Sequence, residues 1–142
     1  MNILVVEDDY LQGEWLCEEL RRVFSRRPFW INSESEFRAR LDEIERDTPD
    51  VAVIDVMLRW THPSPEMAAR PADARDIFGA GLRCQRLLAS RPQTSSIPVI
   101  LYTVLERVDL GEARLLPNVT HLRKESDLDA LLQLIRQVVR KK

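Results

Sequence analysis

Five positions in this 142-residue chain carry groups able to act together on one substrate. Glu7 and Asp8 follow the apolar run in "ILVVEDDY", Asp55 follows "VAVI", Thr103 closes "VILYT", and Lys124 follows the run 119–122. Three carboxylates brought together repel, and without compensation one of them keeps its proton. A hard divalent cation relieves that repulsion, since Mg²⁺ takes oxygen ligands and accepts one or two carboxylates together with waters and phosphate oxygens. An Asp can also attack phosphorus to form an aspartyl phosphate. Lys124 and Thr103 would then donate to the anionic oxygens of the transferred group. The chemistry available to this set is therefore cation-assisted phosphoryl acceptance, provided the chain brings the five residues to one place.

The elements that must do so are legible as alternating patterns. Apolar runs fall at 2–6, 29–32, 51–55, 98–103 and 119–122, three of them nearly all apolar and rich in Val and Ile, as in strands buried on both faces. Leu16, Leu20, Val23 and Phe24 recur at helical spacing between the first two runs. "SESEFRARLDEIERD" opens with a capping Ser and places Phe37, Leu41 and Ile44 on one face, which predicts a single second helix. Further helices are predicted around 80–90 and near 126–140, the latter on Leu128, Leu131, Leu132, Ile135, Val138 and Val139. Strands alternating with helices imply one doubly wound α/β domain over residues 1–142. In such sheets ligands bind beyond the carboxyl ends of the strands, where Glu7, Asp8, Asp55 and Thr103 stand.

Composition sets the outer bounds. Apolar residues make up 44% and charged residues 31%, the ordinary mixture of a globular domain. A net charge of -2 gives no electrostatic footprint for nucleic acid, and the terminal "RKK" suits a solvated helix end. There is no apolar run of membrane-spanning length, and the N-terminus lacks the regions of a signal peptide, so a cytoplasmic protein with no membrane partner is expected. Cys17 and Cys84 are then expected as reduced, buried thiols on helices.

Taken together, "ILVVEDD", "VAVIDVML", "VILYT" and Lys124 resemble the receiver domain of two-component response regulators. The resemblance covers nearly the whole chain outside an insertion at about 60–78, and implies a flavodoxin-like, five-stranded parallel sheet with helices on both faces. It implies Asp55 as phosphoacceptor, Asp8 as a direct Mg²⁺ ligand, Glu7 as an acid acting through water, and the Met57 backbone carbonyl as a further ligand. Thr103 and Lys124 match the switch hydroxyl and the phosphate-pairing lysine, and His121 stands where the switch aromatic usually stands. The phosphoryl donor would be a histidine kinase or a histidine phosphotransfer protein. Output would run through a downstream protein partner, with no catalysis beyond self-phosphorylation and self-dephosphorylation. Since the chain ends after its last helix, a stand-alone receiver is expected.

The departures from the family pattern are specific. Val104 replaces the small residue that usually follows the switch Thr, which implies tighter access. Glu125 replaces the usual Pro after the Lys, which implies a trans peptide and a differently placed loop. His121 is smaller and more polar than the usual aromatic. "RWTHPSPEMAARPADARDIFGAG" stands where roughly 2 to 6 residues are typical. Pro63, Pro65 and Pro71 exclude a continuous helix through its first half, while Trp60 and Phe78 require burial. It reads either as an elongated loop or N-terminal helix extension, begun at "ADARDIF", whose aromatics pack back on the domain, or as a lid or partner surface over Asp55.

Other readings compete for the same residues. Glu7, Asp8 and Asp9 could be helix N-terminal acids favoured by the dipole. His121 reads more simply as structural than as a metal ligand, since the only other His, His62, lies in the insertion. A haloacid-dehalogenase-type phosphatase needs an acid where Met57 stands, and a dinucleotide site needs glycines that Gly13, Gly79, Gly81 and Gly111 do not supply after the first strand. The serious alternative is a receiver-like scaffold that binds a partner without phosphorylation.

Overall fold

The computed structural model describes residues 1–61, 72 and 79–141. Five strands, β1 (Ile3–Val6), β2 (Phe29–Ile31), β3 (Val51–Ile54), β4 (Val99–Thr103) and β5 (Val119–Arg123), form one parallel sheet in the order β2-β1-β3-β4-β5. The helices are α1 (Tyr10–Phe24), α2 (Glu34–Ala39), α3 (Leu41–Arg46), α4 (Ala80–Ala89) and α5 (Leu128–Arg140), with a 3₁₀ segment over Arg107–Leu115. Each strand lies within one residue of its predicted limits at either end.

The period-2 geometry of strands sorts the apolar residues into two cores. Leu4, Val6, Ala52, Ile54, Val99 and Leu101 pack with Phe37, Ile44 and Cys84 of α2, α3 and α4. Their neighbours in sequence, Ile3, Val5, Val51, Val53, Ile100 and Tyr102, pack on the opposite face with Leu16, Leu20, Leu131 and Ile135 of α1 and α5. Double-sided burial is why these strands read as unbroken apolar runs.

Short polar residues start the helices. Asp9 accepts Gln12 N–H at 3.0 Å, Ser33 accepts Glu36 N–H at 3.2 Å and Asp127 accepts Ala130 N–H at 2.9 Å. The helix expected over 33–47 is instead two pieces, because Arg40 leaves helical geometry (φ -106°, ψ 13°). Its guanidinium lies 4.3 Å from the Phe29 ring centroid, and Phe37, Leu41 and Ile44 still reach the same core from both sides of the bend. The 3₁₀ segment was not foreseen. It starts at a reciprocal Glu106 and Asp109 capping box, and is kinked at Gly111, whose φ of 59° favours glycine.

Trp60 is buried as expected, and the carbonyls of Arg59 and Trp60 accept the first amides of α2, Glu34 N at 3.1 Å and Ser35 N at 2.7 Å. The rest of the insertion, with His62, Pro63, Pro65, Pro71 and Phe78, on which the loop, helix-extension, lid and partner-surface readings depend, lies outside the described residues apart from residues 61, 72 and 79. No helix among the described residues is long and apolar enough to cross a membrane.

Cys17 and Cys84 are free and buried. Burial pushes the Cys17 thiol up to about 11 and the Cys84 thiol higher still. Neither is reactive as a thiolate in the folded chain. Iodoacetamide at pH 8 is therefore expected to leave the native protein unlabelled and to modify both thiols after denaturation. Labelling of the native chain, read by intact mass, would show that the cores open.

Candidate functional site

The carboxyl edge of the sheet is extended beyond the strands by two further ladder bonds. Glu7 N–H donates to Ile31 O at 3.0 Å, and Asp55 N–H to Val6 O at 2.9 Å. These fix Glu7 and Asp55 side by side, the next positions after the paired Val6 and Ile54. Lys124 arrives from the end of β5, its N–H bonded to Thr103 O at 3.0 Å.

Asp55 is only 7% exposed, and α4 backs it without an intervening side chain. Gly81 N–H donates to Val56 O at 2.8 Å, and a Cβ on Gly81 would lie 2.1 Å from Asp55 O and 2.6 Å from Val56 Cα. The position admits only glycine at this separation.

The Lys124 ammonium donates to Glu7 Oε1, to Asp55 Oδ2 at 2.8 Å and to Gln12 Oε1 at 2.9 Å. It is the shared counter-ion of two buried acids. Burial, reinforced by the Asp55 charge and opposed by Lys124, pushes the Glu7 carboxyl up to about 7. Burial also works against the Lys124 charge, but Asp55 and Glu7 outweigh it and hold the ammonium above its ordinary range. Asp8 has a different partner: its Oδ2 accepts Arg59 N–H at 3.0 Å and Arg59 Nε–H at 3.3 Å.

Oxygen atoms of Glu7, Asp8 and Asp55 lie within 4.8 Å of one another, the one such cluster of potential metal ligands among the described residues. Three hard oxygen donors facing one ammonium and one guanidinium leave an excess of negative charge, which suits Mg²⁺. Met57 lies on the same rim, its N–H donating to Asp55 Oδ1 at 3.3 Å. A cavity of about 550 Å³ opens over Asp8, Asp55, Met57, Arg59 and Lys124. An adjoining one of about 520 Å³ is lined by Trp15, Leu16, Tyr102, Val104 and Leu128 and also reaches Lys124.

The candidate residues separate into distinct roles. Asp9 caps α1 and is not part of the carboxylate cluster. Thr103 is fully buried and its hydroxyl accepts Leu105 N–H at 3.3 Å. Val104 is 49% exposed at the rim shared by both cavities, so it borders the opening and does not seal it. His121 donates from Nε2 to Leu105 O at 3.0 Å. No cis peptide occurs among the described residues, in line with Glu125 after Lys124.

Three contributors were missed at the sequence level. Gln12 lies three residues beyond the Asp9 cap, a spacing that sets it one turn into α1 beside Lys124. Arg59 meets Asp8 across 51 positions, with no sequence signal for the pair. Glu34, buried in α2, takes Arg83 Nε and Nη2 at 2.8 Å each and Arg38 Nη2 at 3.1 Å. This ion pair sits directly behind the loop that carries Arg59, since Glu34 N–H holds Arg59 O.

Neither family models nor curated protein sequences give a match to the chain. Solved structures do. A sensor protein from Polaromonas sp. JS666 superposes with a TM-score of 0.70 at 18% identity, over 99% of this chain and 96% of that one. The receiver domain of a Francisella response regulator gives 0.68 at 17% identity, over 99% and 97%. The signal receiver domain of a histidine kinase from Syntrophus aciditrophicus gives 0.64 at 23% identity, over 99% and 90%. The chain has the receiver-domain fold.

Proposed function

We propose that the chain is a phosphoryl-accepting switch of two-component signalling, in which Asp55 is phosphorylated by a histidine kinase or histidine phosphotransfer protein in the cytoplasm. The observation that carries this reading is the Asp55 carboxylate, held by backbone bonds at the sheet edge, shared with Lys124 through one oxygen and open to a cavity beside Glu7 and Asp8. An Asp55 oxygen forms the new bond to phosphorus as the bond from phosphorus to the donor imidazole nitrogen breaks. Lys124 is already within reach of the oxygens that gain charge. Mg²⁺, held by Asp8, Asp55 and the Met57 carbonyl with Glu7 acting through water, would neutralise the phosphoryl oxygens. The Thr103 hydroxyl accepts Leu105 N–H, so its own proton is left to donate to those oxygens. Phosphorylation then changes affinity for a downstream protein, with no catalysis beyond the domain's own phosphorylation and dephosphorylation.

Intact mass after incubation with acetyl phosphate tests this. The wild-type chain is expected to gain one phosphoryl group with Mg²⁺ and none with chelator, and Asp55→Asn is expected to gain none. An adduct that survives Asp55→Asn, or that forms equally well in chelator, would instead support a scaffold that binds its partner without phosphorylation.

A further inference from the structure

Asp8 differs from the other two acids in the counter-ion it faces. Glu7 and Asp55 share Lys124, which comes from another strand and is nearly enclosed. Asp8 is held by a residue of the acceptor loop itself, through both the backbone and the side chain of Arg59. The two contacts can be separated. The backbone of Arg59 is fixed on its other side as well, because its carbonyl accepts the first amide of α2. The side chain is 48% exposed and reaches Asp8 through Nε alone, at 3.3 Å. The guanidinium can therefore swing into solvent while the amide continues to orient the carboxylate.

We propose that Arg59 is a tethered counter-ion that competes with the divalent cation for Asp8 and thereby sets the cation affinity of the site. The proposal rests on Asp8 being a cation ligand, as in the function proposed above. A half-exposed ion pair is weak and easily broken, so Arg59 lowers cation affinity without blocking the site. It neutralises the most accessible acid when no cation is bound, and once displaced it leaves a positive group beside the loaded site, within the cavity over Asp55.

Because Arg59→Ala keeps the backbone donor to Asp8, calorimetric titration with MgCl₂ at low ionic strength should show about three- to tenfold tighter binding than wild type. Arg59→Gln, which retains the stem without the charge, should show a gain in the same direction, and the gap should narrow as salt screens the pair. In ¹⁵N spectra of the wild-type chain, the Arg59 Nε–H resonance, assigned by its loss in Arg59→Ala, should move as Mg²⁺ saturates. Equal or weaker binding by both variants, or an Nε–H resonance unmoved at saturation, overturns the proposal and leaves the cation site standing. Absence of Mg²⁺ binding in wild type and variants alike overturns the cation site itself, and the proposal with it.

Discussion

Lys124→Met is expected to destabilise the metal-free chain strongly at pH 8, much less at pH 5, with Mg²⁺ restoring most of the loss. The ammonium is the shared partner of Glu7 and Asp55, both buried, and its removal leaves two like charges without compensation. Breaking a buried pair in this way costs about 3 to 5 kcal/mol, on the order of 10 °C in melting temperature for a domain of this size. The pH dependence follows from Glu7, whose folded-state value of about 7 lies above its ordinary 4.5. A raised carboxyl contributes stability that is fully present below the unfolded value and lost as pH rises through the folded one. At pH 5 Glu7 is therefore mostly protonated and one of the two charges is absent. Without Lys124 the Glu7 carboxyl shifts higher still, so at pH 8 the folded variant must either hold a proton that the unfolded chain has released or carry both charges unpaired, and either course costs stability that pH 5 does not. Circular dichroism melts in chelator and in Mg²⁺ at both pH values decide the matter. An equal loss at pH 5 and pH 8, or no recovery with Mg²⁺, would contradict the view of Lys124 as the site's shared cation.

Gly81→Ala is the second substitution with a large expected effect, and it acts on phosphorylation from behind the site. The added methyl meets Asp55 O and Val56 Cα, both backbone atoms that cannot rotate aside. Either α4 retreats or β3 shifts at its end. Overpacking of this kind costs about 1 to 3 kcal/mol. A displacement of Asp55 by about 1 Å costs on the order of a hundredfold in rate when the reacting geometry is tight. The variant should therefore fold with a lowered melting temperature and take up phosphoryl groups from acetyl phosphate far more slowly than the melting shift alone would suggest. Phosphorylation at the wild-type rate in a folded Gly81→Ala would mean that Asp55 is not positioned through α4.

How much of this was legible beforehand differs by residue for physical reasons. The strands were readable because burial on two faces demands unbroken apolar runs, as in Leu4 through Val6 and Val51 through Ile54. Glu7, Asp55 and Lys124 could be placed together because parallel register carries the ends of neighbouring strands to one edge. The bend at Arg40 was hidden, since the apolar spacing of Phe37, Leu41 and Ile44 is the same for one helix as for two. The 3₁₀ segment buries Leu110 but leaves Val108 exposed, and so presents no helical stripe. Arg59 on Asp8 and Arg83 on Glu34 join residues 51 and 49 positions apart, and charged side chains leave no periodicity from which to infer such meetings.

One peptide group near the site is gripped from two directions. Leu105 gives its N–H to Thr103 and its carbonyl to His121. A carbonyl can only accept, so in this contact His121 Nε2 carries a proton. If Thr103 turns toward a phosphoryl group, the first grip opens while the second can persist, and Leu105 becomes a hinge pinned at its oxygen. The resemblance to receiver domains implies an aromatic ring at this position that fills the space the hydroxyl leaves. Here the ring is bonded to the loop itself, so in the switch proposed above His121 would restrain how far residues 104 to 106 travel, and its two ring nitrogens would report whether that bond holds.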